Sequence, residues 1–215
     1  MRACIFGAGE YFGERLDLCD GAVIIAADGG FAHTKAYGLS ATLAIGDFDS
    51  LGGIPSGIPV KRHPVEKDDT DMALAVKEAR ELGCDELILF GALGGRLDHT
   101  LANLTLLLSL AKEGVSAYLV GKNGVFSVLS AGESLVFGGN PTGLLSLFSL
   151  SEVATVTLSG VKYPLTSGKL FADRALGVSN QFLTNEAYIG IEAGFVLVTW
   201  ENETLPMPKR ERNAV

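Results

Sequence analysis

The texture of this chain changes once, near Lys122, and that change sets what it can fold into. Up to about residue 122, short apolar runs alternate with amphipathic segments, the pattern of a parallel sheet flanked by helices. The candidate strands there are Ala3 to Phe6, Ala22 to Ala27, Leu43 to Ile45, Glu86 to Phe90 and Ala117 to Val120. After Gly121-Lys122-Asn123-Gly124 the runs become short and β-prone: Phe126 to Leu129, Leu144 to Leu150, Ala154 to Leu158, Tyr188 to Glu192 and Phe195 to Trp200. Their close spacing, with Gly138-Gly139-Asn140-Pro141 between two of them, predicts an antiparallel sandwich or small barrel. The expectation is an N-terminal doubly wound, mostly parallel α/β sheet over residues 1–122 and a C-terminal antiparallel β-sandwich over residues 123–215. The tail from Pro206 to Val215, with two prolines, alternating charges and little apolar content, reads as frayed.

Two helices are readable in the first half. Met72, Ala75, Val76, Ala79 and Leu82 recur at helical spacing, and Gly83 stands where a C-terminal cap belongs. Asp68, Asp69 and Asp71 therefore crowd that helix's start. The segment from Asp98 to Glu113 is apolar on nearly every side, which predicts a helix packed from several directions. Its longest apolar stretch, Leu101 to Ala111, is about half of the roughly 20 residues needed to cross a bilayer, so it reads as a buried helix and not a membrane span.

Composition excludes several classes. With 215 residues, 47% of them hydrophobic, the chain can bury a substantial core. A net charge of -8 argues against a nucleic-acid surface, because neutralising phosphates over a long footprint needs concentrated Lys and Arg. Three cysteines, Cys4, Cys19 and Cys84, lack the close pairing of a zinc or redox motif and read as core residues of a reduced protein. The chain starts directly on a strand with no signal-like segment, and the expected location is the cytoplasm.

Three segments carry the chemistry. Asp47 and Asp49 lie two apart after a strand, so in extended backbone they project to one side and can share a hard cation; Gly-Asp-x-Asp is also an ordinary solvated turn. Asp71 adds a carboxylate from another segment, and magnesium commonly takes one or two protein carboxylates while phosphates and waters complete its shell. Lys67 serves either as a surface lysine or as a counter-charge to polyphosphate, and Asp69 reads as a helix-start residue. Gly94-Gly95-Arg96 combines a close backbone approach with a planar cation that grips phosphate oxygens. Asp98 can orient Arg96 or cap the next helix, and His99 reads as a helix-start residue. Asp28-Gly29-Gly30 is either a plain strand-to-helix turn or a place where phosphate or ribose meets backbone N–H groups. Asp28, Asp47 and the Gly91 to Arg96 segment all follow predicted strands, which in a doubly wound sheet collects them at one edge. A Gly-x-x-x-x-Gly-Lys-Ser/Thr loop, protein-kinase motifs and a Gly-x-Ser-x-Gly elbow are all missing, so a nucleotide would be handled in another way.

Taken in order, Ala27-Asp28-Gly29-Gly30, Gly46-Asp47-Phe48-Asp49-Ser50, Asp68-Asp69-Thr70-Asp71, Gly94-Gly95-Arg96-Leu97-Asp98-His99 and Gly177-Val178-Ser179-Asn180 resemble the signatures of thiamine pyrophosphokinases. The resemblance implies an α/β domain that binds ATP and magnesium, a β-sandwich that helps to hold thiamine, and a homodimer. Its sites would form where one subunit's first domain meets the other's second. Carried over, Asp47, Asp49 and Asp71 would address magnesium, and Asp28, Gly29, Gly30, Ser50, Lys67, Thr70, Gly94, Gly95 and Arg96 the ATP phosphates. Asp71, Arg96 and Asp98 would line the reacting centre, and Ser179 and Asn180 would contact thiamine. Some members bring a C-terminal tryptophan to thiamine; Trp200, which ends an apolar run here, reads as a packing residue. The implied reaction is attack of thiamine's hydroxyl on the β-phosphorus of ATP. Its rivals are a magnesium-dependent phosphohydrolase, and a sensor that binds nucleotide or thiamine compounds without turnover.

Overall fold

The structure, a computed structural model, describes residues 1–11, 16–48, 53–63, 69–122, 124–201 and 207–212. Two compact units divide the chain: Met1–Leu110 with Gly114–Lys122, and Ala111–Glu113 with Asn123–Val215.

The first unit is a parallel sheet. Its strands are β1 (Arg2–Phe6), β2 (Val23–Ala27), β3 (Leu43–Gly46), β4 (Val60–Arg62), β5 (Glu86–Phe90) and β6 (Ser116–Gly121), with helices α1 (Gly30–Ala36), α2 (Asp71–Glu81) and α3 (Leu97–Lys112) between them. Pairing gives the order β6-β5-β1-β2-β3-β4, with every pair parallel. The central strands are buried on both faces: Ala3 to Phe6 and Leu87 to Phe90 are all fully inaccessible, as continuous apolar runs in a parallel sheet must be. The chain runs outward from β1 through β4, then returns to place β5 on β1's other side. The point where the winding reverses is therefore the gap between the carboxyl ends of β1 and β5, where open α/β sheets bind ligands.

Helix α2 follows its sequence signals closely. Thr70 is the N-cap, its hydroxyl accepting from the Ala73 amide at 3.1 Å. At the other end Gly83, at φ +82°, donates to the Arg80 carbonyl while Cys84 donates to that of Ala79, a Schellman closure. Met72, Ala75, Val76 and Ala79 are buried, whereas Leu82 lies past the last turn and is 46% exposed.

The reading of α3 as packed from several directions is corrected. Asn103, Leu107, Leu110 and Ala111 are buried, a single stripe at helical spacing, while Leu97 and Leu101 are 71% and 56% exposed. Leucine count alone hid the stripe, because the helix carries leucines on its outer face as well.

Among the described residues the strands of the second unit pair antiparallel with one another. One sheet runs β7 (Gly124–Ser130), β14 (Phe195–Trp200), β9 (Leu144–Ser149), β12 (Gly177–Gln181). The other runs β15 (Lys209–Arg212), β8 (Glu133–Phe137), β13 (Ala187–Ala193), β10 (Val153–Ser159), β11 (Leu165–Phe171). Buried residues alternate along β9 and β10, and Phe137 of β8 meets Trp200 of β14 edge-on, with centroids 5.4 Å apart, to fill the space between the sheets. Trp200 is 3% exposed and packs as its place at the end of an apolar run suggested.

The tail is also corrected. Lys209–Arg212 forms β15 against β8, and the side chain of Arg210 is buried there. Its guanidinium donates to both Glu133 oxygens, at 3.0 and 2.7 Å, and to the Ser127 hydroxyl and Val128 carbonyl on β7. Arg212 and the Ser130 amide complete the cage around Glu133. Burial works against the carboxylate, but these donors outweigh it and hold its pKa at about 2. Alternating charge in the tail encoded a buried ion pair that composition could not distinguish from a solvated end.

Candidate active site

The winding reversal between β1 and β5 opens a cleft of about 390 Å³. Beyond β1 the chain stays close to the segment after β5: Gly7 donates to the Phe90 carbonyl at 2.9 Å and Gly9 to that of Gly91 at 3.0 Å. From the β5 side come Gly94, Gly95 and Arg96; from the β2 end comes Asp28; and from the start of α2 come Thr70 and Asp71. Gly94 and Gly95 take φ of +83° and +62°, a turn that side chains with a Cβ resist. All of these lining residues belong to the first unit.

Both acidic strand ends are tightly turned. Asp28 sits at φ +46° with its amide on the Ile45 carbonyl at 2.7 Å, and Phe48, the residue after Asp47, sits at φ +61° and is 2% exposed. Left-handed backbone at non-glycine residues costs on the order of 1–3 kcal/mol each and collects at functional sites. Since Ala27 and Ile45 are register partners, the turns carrying Asp28 and Asp47 are neighbours on the sheet's carboxyl edge.

Arg96 and Asp98 are both exposed at the start of α3. The guanidinium donates to the carboxylate from Nε at 3.1 Å and from Nη2 at 2.6 Å, and Asp98 also accepts the His99 amide at 3.0 Å. The Arg96 hydrogen bond holds the Asp98 carboxyl below the usual carboxylate range. Asp98 thus orients the arginine, one of the two roles its spacing suggested, and from inside the first turn of α3 it accepts the neighbouring His99 amide.

Other expected site residues are distributed as follows. Asp47 is half-buried after β3 and is not among the residues lining the cleft. Gly29 is the N-cap of α1 without a side-chain bond, and Gly30 is a packing position: a Cβ there would lie 1.8 Å from the Phe6 carbonyl oxygen. Asp49, Ser50, Lys67 and Asp68 lie outside the described residues. Among the described residues no three His, Cys, Asp or Glu side chains form a metal-holding group. In the second unit, Ser179 is exposed at φ +58°, in a β12 bulge where its amide donates to the Ser146 hydroxyl. Asn180 is 5% exposed, and its carboxamide bonds both the amide and the carbonyl of Tyr163.

Residues 18–119 match the family described as thiamin pyrophosphokinase, catalytic domain, and residues 139–196 match thiamin pyrophosphokinase, vitamin B1 binding domain. The chain belongs to the thiamine pyrophosphokinase family. The thiamine pyrophosphokinase of Bacillus subtilis (strain 168) is 29% identical over 181 residues, spanning 81% of this chain and 85% of that protein. Among solved structures, thiamin pyrophosphokinase from Geobacillus thermodenitrificans superposes with a TM-score of 0.80 at 28% identity, covering 95% of this chain and 99% of its own. The enzyme from Candida albicans, at 15% identity, a TM-score of 0.77 and coverage of 94% and 90%, shares the fold.

Within this thiamine pyrophosphokinase fold, motif reading passed over three contributors to the cleft. Gly7 and Gly9 line it, and the readable signal was Gly7-Ala8-Gly9 directly after the first strand. Asn103, 7% exposed on α3, donates to the Ala92 carbonyl at 2.6 Å and fixes the segment leading to Gly94. Its signal was a lone amide within a leucine-rich helix. Among the described residues no helix is long and apolar enough to cross a membrane.

Proposed function

We infer that this chain transfers the pyrophosphoryl group of ATP to thiamine: the primary hydroxyl of thiamine attacks the β-phosphorus, the bond to the α-phosphate oxygen breaks, and AMP leaves as thiamine diphosphate forms. The observation that carries the reading is that Asp71 and Arg96, from separate segments, line one cleft at the winding reversal of the sheet. There a planar cation faces the charge that shifts among phosphate oxygens, and positioning supplies much of the remaining effect.

The first unit takes the ATP side, with Asp28, Thr70, Gly94, Gly95 and Arg96 toward the phosphates and Gly29, Gly30, Ser50 and Lys67 in support. Magnesium fits the donor set. Asp47, Asp49 and Asp71 offer only oxygen, and this cation takes one or two carboxylates beside substrate oxygens, so an all-protein cage is not required. Held there, it would neutralise phosphate charge.

The second unit takes the thiamine side, Ser179 through its exposed hydroxyl and Asn180 by tying the bulged strand to Tyr163. We place the enzyme as a homodimer, each site formed by one subunit's first unit and the other's second. Exposed leucines on each unit, Leu97 and Leu101 on one and Leu176 and Leu183 on the other, support an apolar contact. Three free, buried cysteines accord with the reducing cytoplasm.

The test is to incubate the protein with ATP, magnesium and thiamine and to resolve the products by chromatography. AMP and thiamine diphosphate formed together, and only with thiamine present, are expected. ADP or phosphate released without thiamine would replace this reading with a phosphohydrolase, and binding without turnover would replace it with a sensor.

A further inference from the structure

The loop after β1 carries a carboxylate that the transfer reaction does not call for. Glu10 is exposed, yet its path is closely defined on both sides. Gly9 is bonded to the Gly91 carbonyl, and Tyr11 donates its hydroxyl to the Gly7 carbonyl while its ring stacks on His33 with centroids 3.8 Å apart. Held between these anchors, the Glu10 side chain lies across the Gly94–Gly95 turn. Its Oε1 accepts the Gly95 amide at 3.1 Å, and an added Cβ at Gly94 would stand 2.7 Å from its Oε2.

We propose that Glu10 is an internal competitor for the polyphosphate position: in the free enzyme its carboxylate holds the Gly95 amide, and it must release that amide when ATP enters. This rests on the reading that the Gly94–Gly95 turn receives ATP phosphates. A carboxylate and a phosphate oxygen are alike in what they ask of a backbone amide, a charge-assisted hydrogen bond, so both cannot occupy the Gly95 N–H fully. The nearby cation does not hold Glu10 in place, because the Arg96 fork is bonded to Asp98. Among the described residues Glu10 forms no ion pair, which leaves its carboxylate on a neutral donor at an exposed edge, from which it can be displaced. Glu10 thereby sets the nucleotide concentration at which the cleft fills, and keeps the amide satisfied when the cleft is empty.

Glu10→Gln separates charge from shape, since the amide oxygen still reaches Gly95 but as a weaker acceptor; Glu10→Ala removes both. Binding of inorganic tripolyphosphate with magnesium, measured by calorimetry, is expected to be roughly three- to tenfold tighter in both variants than in the natural enzyme. The KM for ATP is expected to fall by a similar factor with less change in kcat, because the competition lies in the free enzyme. Affinity unchanged or weakened in both variants overturns the proposal. If the natural enzyme makes thiamine diphosphate but the variants bind no tighter, Glu10 alone is misassigned. If the variants bind tighter but none makes thiamine diphosphate, the transfer reading fails and the competition stands. Absence of tripolyphosphate binding in all three overturns both.

Discussion

Arg96 and Asp98, two residues apart, meet at two points, Nε to Oδ1 at 3.1 Å and Nη2 to Oδ2 at 2.6 Å. Asp98 is itself fixed by the His99 amide, so the guanidinium is aimed before any substrate arrives. A lysine would keep the charge but lose the fork that this contact orients. Arg96→Lys is therefore expected to lower kcat/KM for ATP by roughly a hundredfold. Steady-state kinetics check this, with thermal unfolding as the control: the side chain is exposed, so the midpoint should hold. A rate within threefold of the natural enzyme would remove Arg96 from the reacting centre.

Asp71, which lines the cleft, and Asp98, which lies outside its lining and orients Arg96, are the carboxylates proposed to take the hydroxyl proton, and their replacements should differ. Asp71→Asn is expected to raise the magnesium needed for half-maximal rate, and Asp98→Asn to lower turnover at saturating magnesium. The pH profile adds a sign. Because Arg96 depresses the Asp98 pKa, the charged contact is complete above the ordinary carboxylate range and is lost only as pH falls through a lower value. Between pH 8 and 5 the rate should then show no acidic limb belonging to Asp98. A limb in that window that vanishes in Asp98→Asn would oppose the assignment, as would near-normal rates in both variants.

The parallel half of the fold was legible because central strands buried on both faces are written as unbroken apolar runs; Glu86 to Phe90 is read to the residue. Helix α2 was legible because Thr70 and Gly83 mark its ends by local chemistry. Short edge strand β4, reading Val-Lys-Arg, has neither signal. Strand β15 was hidden because the partner of Arg210 is Glu133, far away in sequence, and no local pattern tells a buried charge from a solvated one. In the cleft, Asp28 and Arg96 stood out by residue type and by following strands, and Asp71 by its place among acidic residues at a helix start. Glu10 did not, because its significance lies in reaching Gly95, which only tertiary structure supplies.

Gly30 tests how closely the sheet's carboxyl edge is packed. A methyl group there would sit 1.8 Å from the Phe6 carbonyl oxygen, a backbone atom that cannot rotate away. Gly30→Ala must push α1 off the end of β1, and a loss of about 2–4 kcal/mol is expected. Urea unfolding reads this directly. A loss under about 0.5 kcal/mol, the range of an ordinary surface change, would mean that α1 does not pack on β1 as described.

Glu133 and Arg210 tie the last strand of the second unit across to the opposite sheet. Removing one member leaves the other charged and buried, so Arg210→Ala is expected to cost about 3–5 kcal/mol. The pH dependence has a defined direction. Folding lowers the Glu133 pKa from 4.5 to about 2, so its stabilisation is fully present above 4.5 and declines as pH falls toward 2. Denaturant unfolding from pH 5 down to 3 should show the natural protein losing stability more steeply than Glu133→Gln, which has no proton to take up at this position. Parallel slopes would mean that Glu133 titrates alike in the folded and unfolded chains, and would break the link between the C-terminal strand and this ion pair.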